Sequence, residues 1–289
     1  MTIRRALPQP VKNAGRLVSV GVGTVTASRR QLPGFILVGA QRAGTTSLFR
    51  ALQSHPLVHS ANYHKGVNYF DVNYHRGFDW YQGHFPLATS LRGRTQGLRG
   101  EPITFEASGY YMFHPCAPER MAQHLPDVRI LAMLRDPVER AWSAYKHEHA
   151  RGFESESFDR ALALEDERLA GQAERMAQDP LYQSVSHRHH AYVRRGQYAE
   201  QLRRIGELFP RERIHVVESE SFFEHPERTF AGVLDFLGLP IVMPERFDRW
   251  NGRPSAPMSD STRARLRRHF RSHDDALSDF LGRPPAWAS

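Results

Sequence analysis

"GFILVGAQRAGTTSLFRALQSHP", residues 34–56, decides the fold. The apolar run 34–40 ends in glycine and reads as a buried strand. "TTSLFRALQSHP" reads as a helix that stops before Pro56. Between them lies a loop with Gly39 and Gly44 at the spacing of a phosphate-binding motif, G-x-x-x-x-G-K-[ST]. The lysine of that motif is missing: Thr45 stands in its place, and the loop's one cation is Arg42. Backbone amides at Ala43 and Gly44 and the start of the following helix still make an anion site. Thr45, Thr46 and Ser47 add hydroxyl donors, and Arg42 adds a planar fork suited to phosphate or sulfate oxygens. The plain alternative is a glycine-rich turn that holds nothing. Three hydroxyls and a cation within 42–47 speak against it.

Working outward, "ITFEAS" (103–108), "RILAML" (129–134) and "RIHVVESE" (213–220) are further strand candidates. Helical patterns cover 137–150, 158–177, 187–206 and 226–237, and 89–102 reads as a Gly/Arg loop. Strands alternating with helices predict an α/β fold: a P-loop-like central parallel sheet with helices on both faces. "SDSTRARLRRHF" starts a further helix at capping residues and sets Leu266 and Phe270 on one face. Residues 1–33 are expected to be a loosely ordered tail and 34–289 the folded domain.

A second constellation is "RILAMLRDPVERAWSAYKHEH", 129–149. The strand ends at Arg135, and Pro137 opens a helix where its missing N–H costs nothing. Arg135 therefore falls at the carboxyl edge of the sheet, where open α/β folds bind ligands. Ser143 and His147 follow on one helical face, four residues apart. Alternatively, Arg135 pairs with Asp136 or Glu139 and His147 is a surface histidine.

The 289 residues are 40% hydrophobic and 24% charged, with a formal charge of +8 and a pI of about 9.9. That balance favours anionic ligands. The cluster of arginines between Arg263 and Arg271 reads as a solvated helix face, and with no binding motif beside it nucleic acid is not expected. Cys116 is the only cysteine, which excludes an intramolecular disulfide and a cysteine-based zinc cluster and fits a reducing, cytoplasmic setting. No carboxylate cluster suggests a metal. No span reaches the roughly 18 apolar residues of a membrane helix, so stable membrane insertion is not expected. "LVSVGVGTVTA" (17–27), flanked by Arg16 and Arg29, lacks a good cleavage site for a signal peptide.

Together, "QRAGTTSL" and "RDPVERAWSAY" resemble the two nucleotide motifs of sulfotransferases that use 3′-phosphoadenosine 5′-phosphosulfate (PAPS). "KGVNYFDVNYHRGFDWYQGHFP" (65–86) is similar to the segment after the loop in heparan-sulfate sulfotransferases, above all the N-sulfotransferase domains. "GYYMFHPCAPERM", "RRGQYAEQL" and "NGRPSAPMSD" resemble bacterial members, and coverage runs from about 34 to 285. The resemblance implies a donor with a 5′-phosphosulfate and a separate 3′-phosphate, and no γ-phosphate for a Walker lysine to reach. Residues 42–47 would hold the 5′ end, with Arg42 over the bridging oxygen. Arg135 and Ser143 would hold the 3′-phosphate, Arg253 would close over the cofactor, and 3′-phosphoadenosine 5′-phosphate (PAP) would be the product. The acceptor would be a hydroxyl or amine of a carbohydrate or other small molecule. The oligomeric state is not legible.

Two departures stand out. The family's loop lysine is Arg42 here, and its glutamate base is Gly66, directly after Lys65. The resemblance places Lys65 beside the transferring group and makes His147 the first candidate base, because it matches a functional histidine of the N-sulfotransferase domains. Glu106, at the end of "ITFEAS", is the second, and His64 and Asp71 follow. Tyr63, Tyr69, Tyr74, Trp80, Tyr110 and Tyr111 are candidates for an aromatic acceptor wall, although some must be core. Two other classes compete. A P-loop NTPase lacks its lysine here and a strand ending in Asp. A non-catalytic nucleotide-binding protein would explain Gly66.

Overall fold

The structure, a computed structural model, describes residues 20–62, 64–97, 99–248 and 257–288. Among these, five strands form one parallel sheet in the order β2-β3-β1-β4-β5: β1 (Phe35–Gly39), β2 (Val58–Ser60), β3 (Ile103–Glu106), β4 (Arg129–Leu134) and β5 (Ile214–Glu218). β1 lies at the centre, with Phe35 opposite Phe105 on one side and Arg129 on the other. Every β1 residue is buried, as a strand with both faces covered requires. The Phe35 and Phe105 rings stack at 4.7 Å across the β1–β3 pair.

Helix α1 (Thr45–Ser54) leaves the loop after β1, and α2 (Phe78–Gln82) and α3 (Ala88–Arg94) follow β2. The helix α3 stands where a Gly/Arg loop is expected over 89–102; Leu91 on it is buried, and tertiary burial overrides the glycines. α4 (Ala117–His124) joins β3 to β4. α5 (Pro137–Ala150) has the predicted bounds: the Asp136 carboxylate accepts from the Val138 amide at 2.8 Å, and Pro137 occupies the first turn.

The pattern over 158–177 divides into α6 (Phe158–Leu169) and α7 (Gln172–Gln178), with Gly171 in the left-handed region at φ 68°. The pattern over 187–206 divides into α8 (Val185–His189) and α9 (Tyr198–Gly206). The cause is Glu165, a buried carboxylate that accepts from the amides of Tyr192, Val193 and Arg194 and takes them out of the α-helical hydrogen-bond pattern. α10 (Ser219–Glu224), α11 (Pro226–Phe236) and α12 (Asp260–Leu281) follow. α12 is capped by Ser259, whose hydroxyl accepts from the Thr262 amide, and it buries Leu266 and Phe270 as expected.

Of the expected tail, residues 1–19 lie outside the described residues. Residues 20–33 are packed: Ala27 is buried, Arg30 bridges to Leu87, and Gly23 lies so close to Gly83 that a Cβ would meet its carbonyl oxygen at 2.5 Å.

Candidate active site

The loop between β1 and α1 turns on Gly44, which caps α1 with φ 91°. A Cβ there would meet Met133, Phe223 and Ser219 at 3.1–3.3 Å, so both conformation and space call for glycine. Arg42 also has a positive φ, 72°, unusual for a residue with a side chain. Its Nε donates to Ser143 Oγ at 3.1 Å. Arg135, at the end of β4, points Nη1 at the Arg42 carbonyl oxygen 3.5 Å away, and the Tyr198 hydroxyl holds the Arg135 carbonyl at 2.8 Å. Arg42 thus meets Arg135 and Ser143, about a hundred residues away in sequence, at the carboxyl edge of the sheet.

Lys65 arrives from the other side. Its Nζ donates to Thr45 Oγ1 at 2.9 Å and Thr46 Oγ1 at 3.2 Å, in the first turn of α1. Burial, then the charges of Arg50 and Arg42, lower its pKa to about 8. The backbone is pinned by the Ala107 amide, which donates to the Lys65 carbonyl at 2.8 Å. Gly66 is jammed against the end of β3, and a Cβ would lie 2.6 Å from both the Ala107 carbonyl oxygen and Ser108 Oγ. A glutamate does not fit there without displacing this backbone.

The expected second candidate base, Glu106, does not face open space. It is fully buried and accepts from the Val67 amide at 2.7 Å, Ser108 Oγ at 2.7 Å and the Tyr111 hydroxyl at 3.0 Å. Burial raises its pKa while these bonds lower it. Three donors make it a brace that ties residues 65–71 to the sheet. Asp71 is also buried, but only one oxygen is engaged, by its neighbour's Val72 amide at 2.6 Å; Oδ2 has no hydrogen-bond partner among the described residues. Burial pushes its pKa up to about 7, against the pull of Arg188. His147 is half-buried on α5 one turn beyond Ser143, and His64 is exposed. Arg253 and Tyr63 lie outside the described residues. Tyr69 and Tyr111 are core rather than wall: Tyr111 OH bonds Glu106 and the Tyr69 amide.

Two residues that the sequence reading assigned no role join the loop to the rest of the site. Gln41 accepts from buried Arg195, which also donates to the His187 and Arg188 carbonyls at 2.9 Å. Glu148 is held by His189 Nδ1 at 2.9 Å and Arg151 at 3.3 Å, with Gln41 Nε2 at 3.5 Å. The sequence signal was the position of Gln41 inside the loop; its partners 107 and 154 residues away were not legible. A cavity of about 360 Å³ flanks α1, lined by Ser47, Arg50, Phe222 and Phe247 among others. Among the described residues no group of three or more His, Cys, Asp or Glu side chains could hold a metal ion.

With this geometry in hand, comparison with known proteins is decisive: the family profile for the sulfotransferase domain matches residues 32–252. The chain belongs to the sulfotransferase family. A solved sulfotransferase from Alicyclobacillus acidocaldarius is 30% identical, with a TM-score of 0.65 over 89% of this chain and 99% of that one. The human bifunctional heparan sulfate N-deacetylase/N-sulfotransferase 2 is 27% identical over 89% of this chain and 31% of its own length. The human heparan sulfate glucosamine 3-O-sulfotransferase 5 is 29% identical over 73% of this chain and 55% of its own length. The chain thus spans about a third of one of these relatives and about half of the other. The sulfotransferase fold agrees with the five-stranded parallel sheet, and no helix among the described residues is long and apolar enough to cross a membrane.

Proposed function

We propose that this sulfotransferase moves the sulfuryl group of PAPS to a hydroxyl or amine of a carbohydrate or other small acceptor, by in-line displacement. The observation that carries this reading is the Arg42–Ser143 bond. It joins a phosphate loop without a Walker lysine to a second anion site at Arg135 and Ser143. A donor with phosphates at its 5′ and 3′ ends fits two such sites; a nucleotide with one phosphate chain uses only the first. The cavity beside Ser47 and Phe222 is of a size to take a purine. Arg253 is assigned to the cofactor by family resemblance alone.

PAPS supplies an activated sulfur whose leaving group is a phosphate oxygen. Around it, the residues position and stabilise charge. The amides of Ala43 and Gly44 and the hydroxyls of Thr45, Thr46 and Ser47 orient the 5′ end. Arg135 and Ser143 fix the 3′ end. The acceptor's proton must pass to a base as its oxygen or nitrogen bonds to sulfur. His147 is our choice, from its place one turn beyond Ser143. Asp71 is the second reading, favoured by an unengaged oxygen and a pKa near the working pH. The single cysteine suits a cytoplasmic setting.

Calorimetry with PAP and with the 5′-phosphate nucleotide tests the assignment. PAP should bind more tightly, and Arg135→Ala should cost it about 1.5–3 kcal/mol while leaving the 5′-phosphate nucleotide little changed. Equal affinity for the two nucleotides in the wild type would overturn the 3′-phosphate site.

A further inference from the structure

Arg42 replaces the family's loop lysine, yet its Nε is turned toward Ser143, at the junction with the second motif. The ammonium that reaches the first turn of α1 belongs to Lys65, 20 residues beyond Thr45. We propose that Lys65, and not Arg42, is the cation that holds the 5′-phosphate end of the donor and stabilises the charge left on its bridging oxygen. This rests on the PAPS reading above.

An ammonium carries three donors. Two of those of Lys65 go to Thr45 and Thr46, and the third is left for a ligand oxygen. Phe49 lies on one side, its ring centroid 5.8 Å from Nζ. The charged groups that face Lys65 are Arg42 from the loop and Arg50 from α1, both cations, and no carboxylate pairs with it among the described residues. Such a group gains most when a dianion arrives. In the transfer step the sulfur–bridging-oxygen bond breaks and its electron pair stays on that oxygen. The acceptor atom forms the new bond to sulfur, and the acceptor's proton goes to the base. Lys65 keeps its own proton and acts by charge.

A dianion beside Lys65 raises its pKa from about 8, so binding must draw in a proton at alkaline pH. The phosphates of PAP, with second pKa values near 6, are already ionised there and contribute nothing. The other lysine near this site is Lys146, lowered by burial and by Arg135 and Arg42 against the pull of Glu139. It needs its own control.

The experiment is calorimetry of PAP binding in buffers of different ionisation enthalpy at pH 7, 8 and 9. Wild type should take up almost no proton at pH 7, about half a proton at pH 8 and close to one at pH 9. Lys65→Arg keeps the charge, so it should lose less PAP affinity at pH 7 than Lys65→Met does, and it should lose the uptake. Lys65→Met should bind about tenfold more weakly at pH 7 and take up nothing, whereas Lys146→Arg should keep the uptake. Thermal unfolding of each variant separates folding defects from binding. Uptake that is absent in wild type, or that survives Lys65→Arg, overturns the assignment to Lys65. Failure of wild type to bind PAP at pH 7 overturns the PAPS reading, and this inference with it.

Discussion

At the phosphate loop, Arg42, Arg50 and Lys65 crowd one another, and the ammonium of Lys65 is driven down in pKa. At the end of β3 and in the segment 65–71 that packs on it, Glu106 and Asp71 are acids driven the other way by burial. Both regions make charge costly, but they settle it differently. Glu106 has three donors of its own, so its network is closed. Lys65 has hydroxyls and cationic neighbours and no carboxylate partner among the described residues, so its network is open. The closed network ties 65–71 to the sheet, and the open one is where we propose the donor's 5′ end. Asp71, buried with one oxygen unengaged, resembles the open kind inside the closed region.

The largest effect should come from the base. With a hydroxyl acceptor and labelled PAPS, His147→Ala is expected to lower kcat on the order of 10²–10⁴-fold. Asp71→Asn tests the rival reading. If His147→Ala keeps near-normal kcat while Asp71→Asn loses it, the unengaged carboxylate is the base and the division between open and closed networks predicts chemistry better than helical position does.

Asp71 carries a second expectation, in stability. Its folded pKa of about 7 lies above the unfolded carboxylate value, 3.8, so the folded state binds more protons between the two. Wild-type stability relative to Asp71→Asn should therefore fall as pH rises from about 4 to 7 and level off above that. The change is on the order of 4 kcal/mol. Urea unfolding of both proteins across this range measures it, and a difference that does not vary with pH would show that Asp71 is solvated or paired in solution.

The closed network makes the opposite demand. Glu106→Gln puts an amide NH₂ where three donors already point, so one donor faces another. The expected loss of stability is about 1–3 kcal/mol, with kcat of the remaining folded enzyme nearly unchanged. Normal stability with a large loss of kcat would return Glu106 to the role of base.

How much of this was legible follows the range of the interactions. "RILAML" and 137–150 have the bounds read from sequence because the signals are local: an apolar run, then Asp136 and Pro137. The three-residue β2 offers too short a pattern, and α8 and α9 separate because Glu165, some thirty residues earlier, captures three amides. In the site, Gly39, Gly44, Arg135 and Ser143 stood out by spacing. Glu106 was a candidate base by its place at the end of "ITFEAS"; the arrival of Val67 and Tyr111 is what braces it. The reach of Lys65 to Thr45 depends on how 65–67 docks on β3, which no local pattern encodes.

The smallest expected effect tests whether the open region is one site or two. Arg42 and Ser143 are joined by a single hydrogen bond of 3.1 Å between a guanidinium and a hydroxyl. Removing either partner should weaken PAP binding, but for different reasons. Arg42→Ala removes the donor that orders the Ser143 hydroxyl and a cation between the two ends, whereas Ser143→Ala removes a donor from the 3′ side and the acceptor that aims Arg42. If the bond transmits order between the two ends, the losses overlap, and the double variant binds better than the sum of the single losses predicts. The coupling should be about 0.5–1.5 kcal/mol, measured as PAP affinity in a double-mutant cycle. The same cycle run with the 5′-phosphate nucleotide should show less coupling, because that ligand leaves the Ser143 side without a phosphate. Strict additivity with PAP would mean that the two ends bind independently, that the bond is incidental to the nucleotide, and that the open region is two anion sites that share a wall.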